Sequence, residues 1–75
     1  MNGLGSFVAT RRRDLGLTSA ALGDKAGVPA SWVRSLEHNR INVMPSPERT
    51  KALAAALDVP VIDLLIAAGY LDPDQ

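Results

Sequence analysis

The 75-residue sequence has no cysteine, few aromatic residues and no net charge. Without cysteine, neither disulfides nor thiolate metal sites can stabilise the fold. Only 4% of the residues are aromatic, so the core must consist of leucine, valine, isoleucine and alanine. No stretch approaches the ~20 apolar residues of a membrane span, and the first residues lack a basic segment followed by an apolar run. We therefore expect a soluble, cytoplasmic protein without a membrane segment.

The zero net charge at first argues against a nucleic-acid partner, but the charges are unevenly distributed. Residues 1–40 carry a net charge of +3, and residues 41–75 carry −3. This division suits a molecule that turns one face toward phosphate, although small proteins also divide their charge unevenly by chance.

The sequence offers little for catalysis or metal binding. His38 is the only histidine, the carboxylates are scattered over separate segments, and there is no glycine-rich phosphate loop. We expect no enzymatic activity, no metal, no cofactor and no small-molecule ligand. The length predicts a single domain over residues 1–75, with no second domain to sense a ligand.

Helical periodicity recurs five times between glycine and proline breakers. In the first segment an apolar stripe formed by Leu4, Val8 and Leu15 precedes a stop at Gly16. The second predicted helix begins at the capping residue Thr18 and ends before a glycine, at position 27, that suits a left-handed turn.

The third predicted helix has Pro29 at its first position and ends at Asn39, a residue that tolerates the left-handed conformation. After an unusually apolar loop over 40–45, Ser46-Pro47-Glu48 provides a cap, a first-position proline and an acid in the first turn. The inward face of this fourth helix carries Thr50, Leu53, Ala54 and Leu57. We predict a fifth, largely buried helix that ends at Gly69 and is built by Val61, Ile62, Leu65 and Ile66.

The second and third helices are joined by a tight Gly27-Val28 turn. Helices this short bury their apolar faces only by crossing at a steep angle, which predicts a helix-turn-helix over residues 18–38. Leu22 and Val28 would pack against Val33 and Leu36. The outward face of the third helix then carries Ala30, Ser31, Arg34, Ser35 and His38. Small residues around one arginine allow close approach to the major groove.

At these residues the chain resembles the lambda-repressor-like, Xre/Cro-type family of DNA-binding regulators. The resemblance rests on Leu17-Thr18-Ser19-Ala20-Ala21-Leu22-Gly23-Asp24-Lys25-Ala26-Gly27-Val28, followed by Ser31, Val33, Leu36 and Glu37. It continues through Pro45–Glu48, Leu53–Val59 and Leu64-Leu65 to Gly69, nearly the whole chain. The family implies an all-α, five-helix bundle, here with a core from about residue 4 to 71. It also implies major-groove binding by the third helix and dimers on palindromic operators.

The resemblance also assigns roles to individual positions. Ser19 stands where the family commonly has a phosphate-contacting glutamine, and Arg40 matches a loop that contacts the DNA backbone. The positions that face bases are Ala30, Ser31, Arg34 and Ser35. The chain departs from the family in having Gly23 for a usual alanine, Pro29 for a usual capping serine, and a longer loop over 39–45.

Arg12 lies on the apolar stripe of the first helix, where an unpaired cation would be desolvated at heavy cost. A bidentate carboxylate partner would make burial tolerable. Glu37, beside the core residue Leu36, is the best-placed partner, and the resemblance implies the same pair. The alternative for Arg12 is DNA contact.

Several side chains have two interpretations each. Trp32 either packs against the second or fourth helix or donates its indole N–H to a DNA phosphate. His38 either stabilises the helix end or meets a phosphate. Apolar residues of the loop and the tail either cover the core or form a self-association surface; they are Ile41, Val43, Met44, Tyr70 and Leu71.

The sequence thus predicts a sequence-specific double-stranded DNA-binding transcriptional regulator. It would act as a small phage or bacterial repressor by occupying its operator, as a weak homodimer strengthened on DNA. Two alternatives use the same fold. One is a protein-interaction module that binds another regulator or a toxin with weak or no DNA binding, and the other is an oligomerisation scaffold.

Overall fold

The computed structural model describes residues 3–41 and 44–70, and within these ranges it contains five α-helices and no strand. The all-α prediction is therefore confirmed. No described helix is long and apolar enough to cross a membrane. The helices are α1 (Leu4–Asp14), α2 (Ser19–Ala26), α3 (Ala30–Glu37), α4 (Pro47–Leu57) and α5 (Val61–Ala67).

The predicted starts of α2 and α4 are confirmed by their capping contacts. The hydroxyl of Thr18 accepts a hydrogen bond from the backbone N–H of Ala21 at 3.0 Å. The hydroxyl of Ser46 likewise accepts from Arg49 at 3.3 Å. Gly27 ends α2 in the left-handed conformation, with φ of 71°, which glycine adopts without a Cβ clash.

Four predicted boundaries are wrong by one or two residues. One of them is the end of α5, which lies at Ala67 rather than at Gly69. Pro29 is the residue before α3 rather than its first position, because its ψ of 145° is extended while its carbonyl accepts the first helical hydrogen bonds. α3 ends at Glu37, although Asn39 does take the predicted left-handed conformation, with φ of 57°. α1 ends at Asp14, so Leu15 caps the helix and is 37% exposed instead of continuing the apolar stripe.

The core lies between α2, α3 and α4, and α1 and α5 close it. Its fully buried large side chains are Val8, Leu22, Val33, Leu53, Leu57 and Leu64. Leu22, Val28, Val33 and Leu36 all belong to this cluster, which confirms the packing predicted for the helix-turn-helix. Thr50 is the one buried polar residue among those described, and its hydroxyl donates to the carbonyls of Pro45 and Ser46.

The orientation predicted for α5 is wrong in part. Leu64 is the fully buried residue of this helix, whereas Ile62 is 48% exposed. Val61, Leu65 and Ile66 are only partly buried. The error arises because six of the seven residues of α5 are apolar, so hydrophobicity alone does not select the inward face.

Two glycines permit close backbone contacts that position α3. A Cβ on Gly5 of α1 would collide with the carbonyl oxygen of Leu36 at the end of α3. A Cβ on Gly23 of α2 would lie 2.6 Å from the carbonyl oxygen of Val28 in the turn. Gly23 therefore has a packing role, because it lets the turn approach α2 closely.

Candidate nucleic-acid interface

The outward face of α3 is open to solvent, as expected of a surface that enters a groove. Ser31, Arg34 and His38 are exposed, and Ala30 and Ser35 are partly exposed. Because Val33 and Leu36 occupy the opposite side of the helix and are buried, the orientation of α3 is fixed. The exposed face is thus a strip of small side chains around a single arginine.

The Arg12–Glu37 pair joins α1 to the C-terminal end of α3. The Nε of Arg12 donates to Oε2 of Glu37 at 2.7 Å, and its Nη2 donates to Oε1 at 3.0 Å. The remaining Nη1 donates to the carbonyl of Leu17 at 2.8 Å. Only 14% of the Arg12 side chain and 7% of the Glu37 side chain are exposed.

This geometry sets the charge of the pair. Hydrogen bonding to the Glu37 carboxylate raises the pKa of Arg12, and the charge of Glu37 adds to the rise, while burial opposes it. The guanidinium therefore stays charged and neutralises Glu37. The positive charge of Arg12 offsets the negative charge of Glu37, so the pair has no net charge. The Glu37 carboxylate therefore does not repel an anion that approaches α3.

A polar groove of about 370 Å³ lies on one flank of α3, between α1 and the start of α2. Ser19 of α2 lines this groove together with Arg34 and His38 of α3. The groove thus brings together residues that were predicted separately to contact DNA. Exposed Arg13 of α1 also lines it, whereas Glu37, its sole acidic lining residue, is paired with Arg12. This flank of α3 is consequently electropositive.

Trp32 occupies the other flank of α3 and packs partly buried against the core. The guanidinium carbon of Arg49, in the first turn of α4, lies 4.8 Å from the centroid of its ring. The structure thus favours the packing interpretation of Trp32, with α4 as its neighbour. Arg49 is not among the site residues predicted from the sequence. Nothing in the local pattern marks it, because its contact joins residues on different helices.

The other arginines separate into structural and exposed groups. Arg11 donates from Nε to the carbonyl of Leu57 at 2.9 Å and from Nη2 to that of Asp58 at 3.5 Å, so it binds the C-terminal end of α4. Arg40 is exposed, and its backbone N–H donates to the carbonyl of Ser35. This bond holds Arg40 next to the end of α3.

The residues suggested for self-association are divided by the structure. Ile41 and Met44 are partly buried and pack against the core. Tyr70 is 63% exposed, and Ile62, which was predicted to be buried, is exposed as well. Val43 and Leu71 lie outside the described residues. The described residues contain no cluster of histidine and carboxylate side chains that could hold a metal ion.

Comparison with known proteins places this geometry in a family. A family model described as a helix-turn-helix domain matches residues 4–65. The chain belongs to this helix-turn-helix family, and the resemblance to DNA-binding regulators of the lambda-repressor-like, Xre/Cro type is confirmed. A search of curated proteins found no sequence match.

Solved structures of three kinds are similar over most of the chain. SinR, a master regulator of biofilm formation, in complex with DNA is 34% identical; the match covers 83% of this chain and 97% of that one, with a TM-score of 0.77. A complex of SinR with the SinI protein gives 32% identity, coverage of 95% and 69%, and a TM-score of 0.78. The clp gene regulator ClgR of Corynebacterium glutamicum gives 31% identity, coverage of 91% and 70%, and a TM-score of 0.76.

Proposed function

We propose that this protein regulates transcription by binding double-stranded operator DNA with α3 in the major groove. The observation that carries the proposal is the exposed strip of α3 beside the electropositive groove lined by Arg13 and Arg34. A major groove ~12 Å wide admits one helix, and phosphates line both of its edges. A helix with an open outward face and cationic side chains beside it suits that environment.

Each exposed residue then has a role set by its position. Arg34 lies on the outward face of α3, where a guanidinium can donate to both O6 and N7 of a guanine. Ala30, Ser31 and Ser35 are short enough to let the helix approach the base edges closely. Ser19, His38 and Arg40 lie beside this face and would contact phosphate, which positions the helix without reading sequence.

Comparing Arg34→Ala with Arg40→Ala tests these roles. A bidentate arginine–guanine contact discriminates between bases by roughly 1–3 kcal/mol. Arg34→Ala should therefore reduce the differences in affinity between duplexes of different sequence, while weak binding to all of them remains. Arg40→Ala should weaken binding to all duplexes alike and make the dependence of affinity on salt shallower by about one unit of slope.

Lys25→Ala is the matched control, because Lys25 is an exposed cation in the last turn of α2 and lines no part of the polar groove. Affinities are measured by fluorescence anisotropy across a salt series. If the wild type does not bind duplex DNA even at low salt, DNA binding is excluded as the function.

The mode of regulation is a second part of the proposal. We infer that the protein represses by occupancy and assembles as a weak homodimer that DNA strengthens, since a two-fold protein matches a palindromic operator. Exposed Tyr70 and Ile62 provide apolar surface for such a contact. Sedimentation velocity with and without a palindromic duplex tests this, and a strict monomer in both conditions would contradict it.

A protein-interaction module is the second candidate. It is supported by the zero net charge and by the solved complex of SinR with the SinI protein. Under this hypothesis the exposed apolar residues Ile62 and Tyr70 bind another regulator or a toxin. Salt-independent absence of DNA binding, together with a folded wild-type protein, would favour this candidate.

A further inference from the structure

We propose that Arg49 is a DNA-backbone contact and that Trp32 is the surface that holds it in place. This inference rests on the proposed DNA-binding function and adds a residue to it. The direct observation is the guanidinium of Arg49 over the indole ring of Trp32, 4.8 Å from the ring centroid. The contact joins the first turn of α4 to α3.

The position of Trp32 on α3 places this cation next to the base-facing strip. Trp32 follows Ser31 in the chain, and Ser35 is its neighbour one turn later, since residues three apart are adjacent on a helix surface. Both serines belong to the strip proposed to face bases. The guanidinium of Arg49, which lies over Trp32, is therefore on the flank of α3 next to this strip. A helix that enters the major groove has a phosphate chain along that flank.

The opposite flank carries the polar groove lined by Arg13, Ser19 and His38. With Arg49 on the other side, α3 has cationic side chains along both flanks. A helix in the major groove has a phosphate chain on each side, so contacts on both strands fix its position. Without Arg49, the contacts proposed above leave the Trp32 flank without a cation close to the middle of the helix.

The guanidinium of Arg49 is free to bind an anion. Among the described residues it has no ion pair and its side chain donates no hydrogen bond. No acidic residue lies three or four positions from Arg49 along α4, where helical neighbours meet. Its exposed side chain retains all five N–H donors, which match a phosphate.

Stacking on Trp32 adds an advantage that an unrestrained surface arginine lacks. The ring limits the conformations of a side chain that otherwise has large rotational freedom, so less entropy is lost when phosphate binds. This assigns Trp32 a positioning role through Arg49. It replaces the direct phosphate contact that the sequence suggested for the indole.

The test measures binding of a random-sequence 25-base-pair duplex between 50 and 200 mM salt. Each phosphate neutralised contributes about 0.9 to the slope of log affinity against log salt. Arg49→Ala should make the slope shallower by about this amount. Over that salt range the wild type should lose about 3.5-fold more affinity than the variant.

Lys51→Ala is the matched control, because Lys51 is an exposed cation on the same helix and lines a different, apolar groove with Val61 and Leu65. Its slope should equal that of the wild type. A purely structural role for Arg49 would lower thermal stability and leave the slope unchanged, so each variant is also melted. Equal salt slopes for the Arg49 and Lys51 variants would overturn the proposal. This holds whether both slopes are shallower than that of the wild type or both equal it.

A double-mutant cycle tests the role of Trp32. Trp32→Phe keeps an aromatic ring in the core but reduces the stacking surface, so it should weaken binding while the slope, which counts charges, stays the same. In the Arg49→Ala background the same change should have no further effect on affinity. An equal loss in both backgrounds would mean that Trp32 does not act through Arg49.

The same experiment separates this proposal from the proposed function. If the wild type fails to bind the duplex, the proposed function is wrong. If the wild type binds and only the Arg49 prediction fails, the proposed function stands.

Discussion

Replacing Arg12 with alanine should destabilise this protein far more than replacing any exposed arginine. The change leaves Glu37 with 7% exposure and no cation, and it also removes a donor from the carbonyl of Leu17. Breaking a buried ion pair costs about 3–5 kcal/mol. Because 14% of the Arg12 side chain meets water, we take the lower end, about 3 kcal/mol.

This loss is large compared with the whole stability of the domain. At ~0.05–0.15 kcal/mol per residue, 75 residues give about 4–11 kcal/mol. For a domain of this size each kcal/mol lowers the Tm by roughly 4–8 °C. Arg12→Ala should therefore lower the Tm by about 12–24 °C.

Circular dichroism at 222 nm during heating measures this effect, with Arg13→Ala as the control. Arg13 is the next residue of the same helix, is exposed and has no ion pair among the described residues, so its replacement should shift the Tm by only a few degrees. A double change, Arg12→Met with Glu37→Leu, should recover most of the loss because no buried charge remains unpaired. Equal, small shifts for Arg12→Ala and Arg13→Ala would refute the reasoning.

Two further changes test how the helices are held together. Gly5→Ala should destabilise the fold by about 2 kcal/mol, because its Cβ would force α1 away from the carbonyl of Leu36 and the backbone must shift. Thr50→Val should cost about 1 kcal/mol, since the lost hydroxyl donates to the carbonyl of Pro45 at 3.1 Å and that of Ser46 at 2.9 Å. Urea unfolding measures the change in the free energy of unfolding for both variants, provided that the m-value is the same as in the wild type.

The controls use the same substitutions at open positions. A Cβ on Gly3 would make only an ordinary contact, 3.5 Å from the carbonyl of Ala67, so Gly3→Ala should be close to neutral. Thr10 is exposed, so Thr10→Val should change stability by less than about 0.5 kcal/mol. If Gly5→Ala changes the free energy of unfolding as little as Gly3→Ala does, α1 and α3 can move apart at little cost, which would contradict the prediction.

The sequence predicted the fold best where a local chemical rule decides the backbone. Thr18, Gly27 and Ser46 were placed correctly because capping and left-handed turns depend on the residue itself. α5 was oriented incorrectly because its inward face depends on α1 and α4. Neither of these partners is visible in a run of apolar residues such as Val61-Ile62.

The site shows the same division between local and long-range information. The exposed strip of α3, including Arg34, follows from the alternation of apolar and polar residues within one helix. The contact of Arg49 with Trp32 joins residues 17 positions apart on helices oriented by the core, so periodicity could not reveal it. The groove shared by Arg13 and Ser19 likewise exists only once α1 is packed against α3.

The three consecutive arginines of α1 predict three different tolerances in a saturation substitution scan. Arg12 should reject even lysine, because a point-like ammonium cannot engage both carboxylate oxygens and the Leu17 carbonyl together. Arg11 should accept lysine, because an ammonium can still reach the carbonyl of Leu57, and the bond to the carbonyl of Asp58 is long and exposed. Arg13 should accept most polar residues for folding and show selection only where binding is scored. A scan that scores folding alone should therefore find Arg12 the least tolerant of substitution, Arg11 intermediate and Arg13 the most tolerant, although the three residues are identical and adjacent.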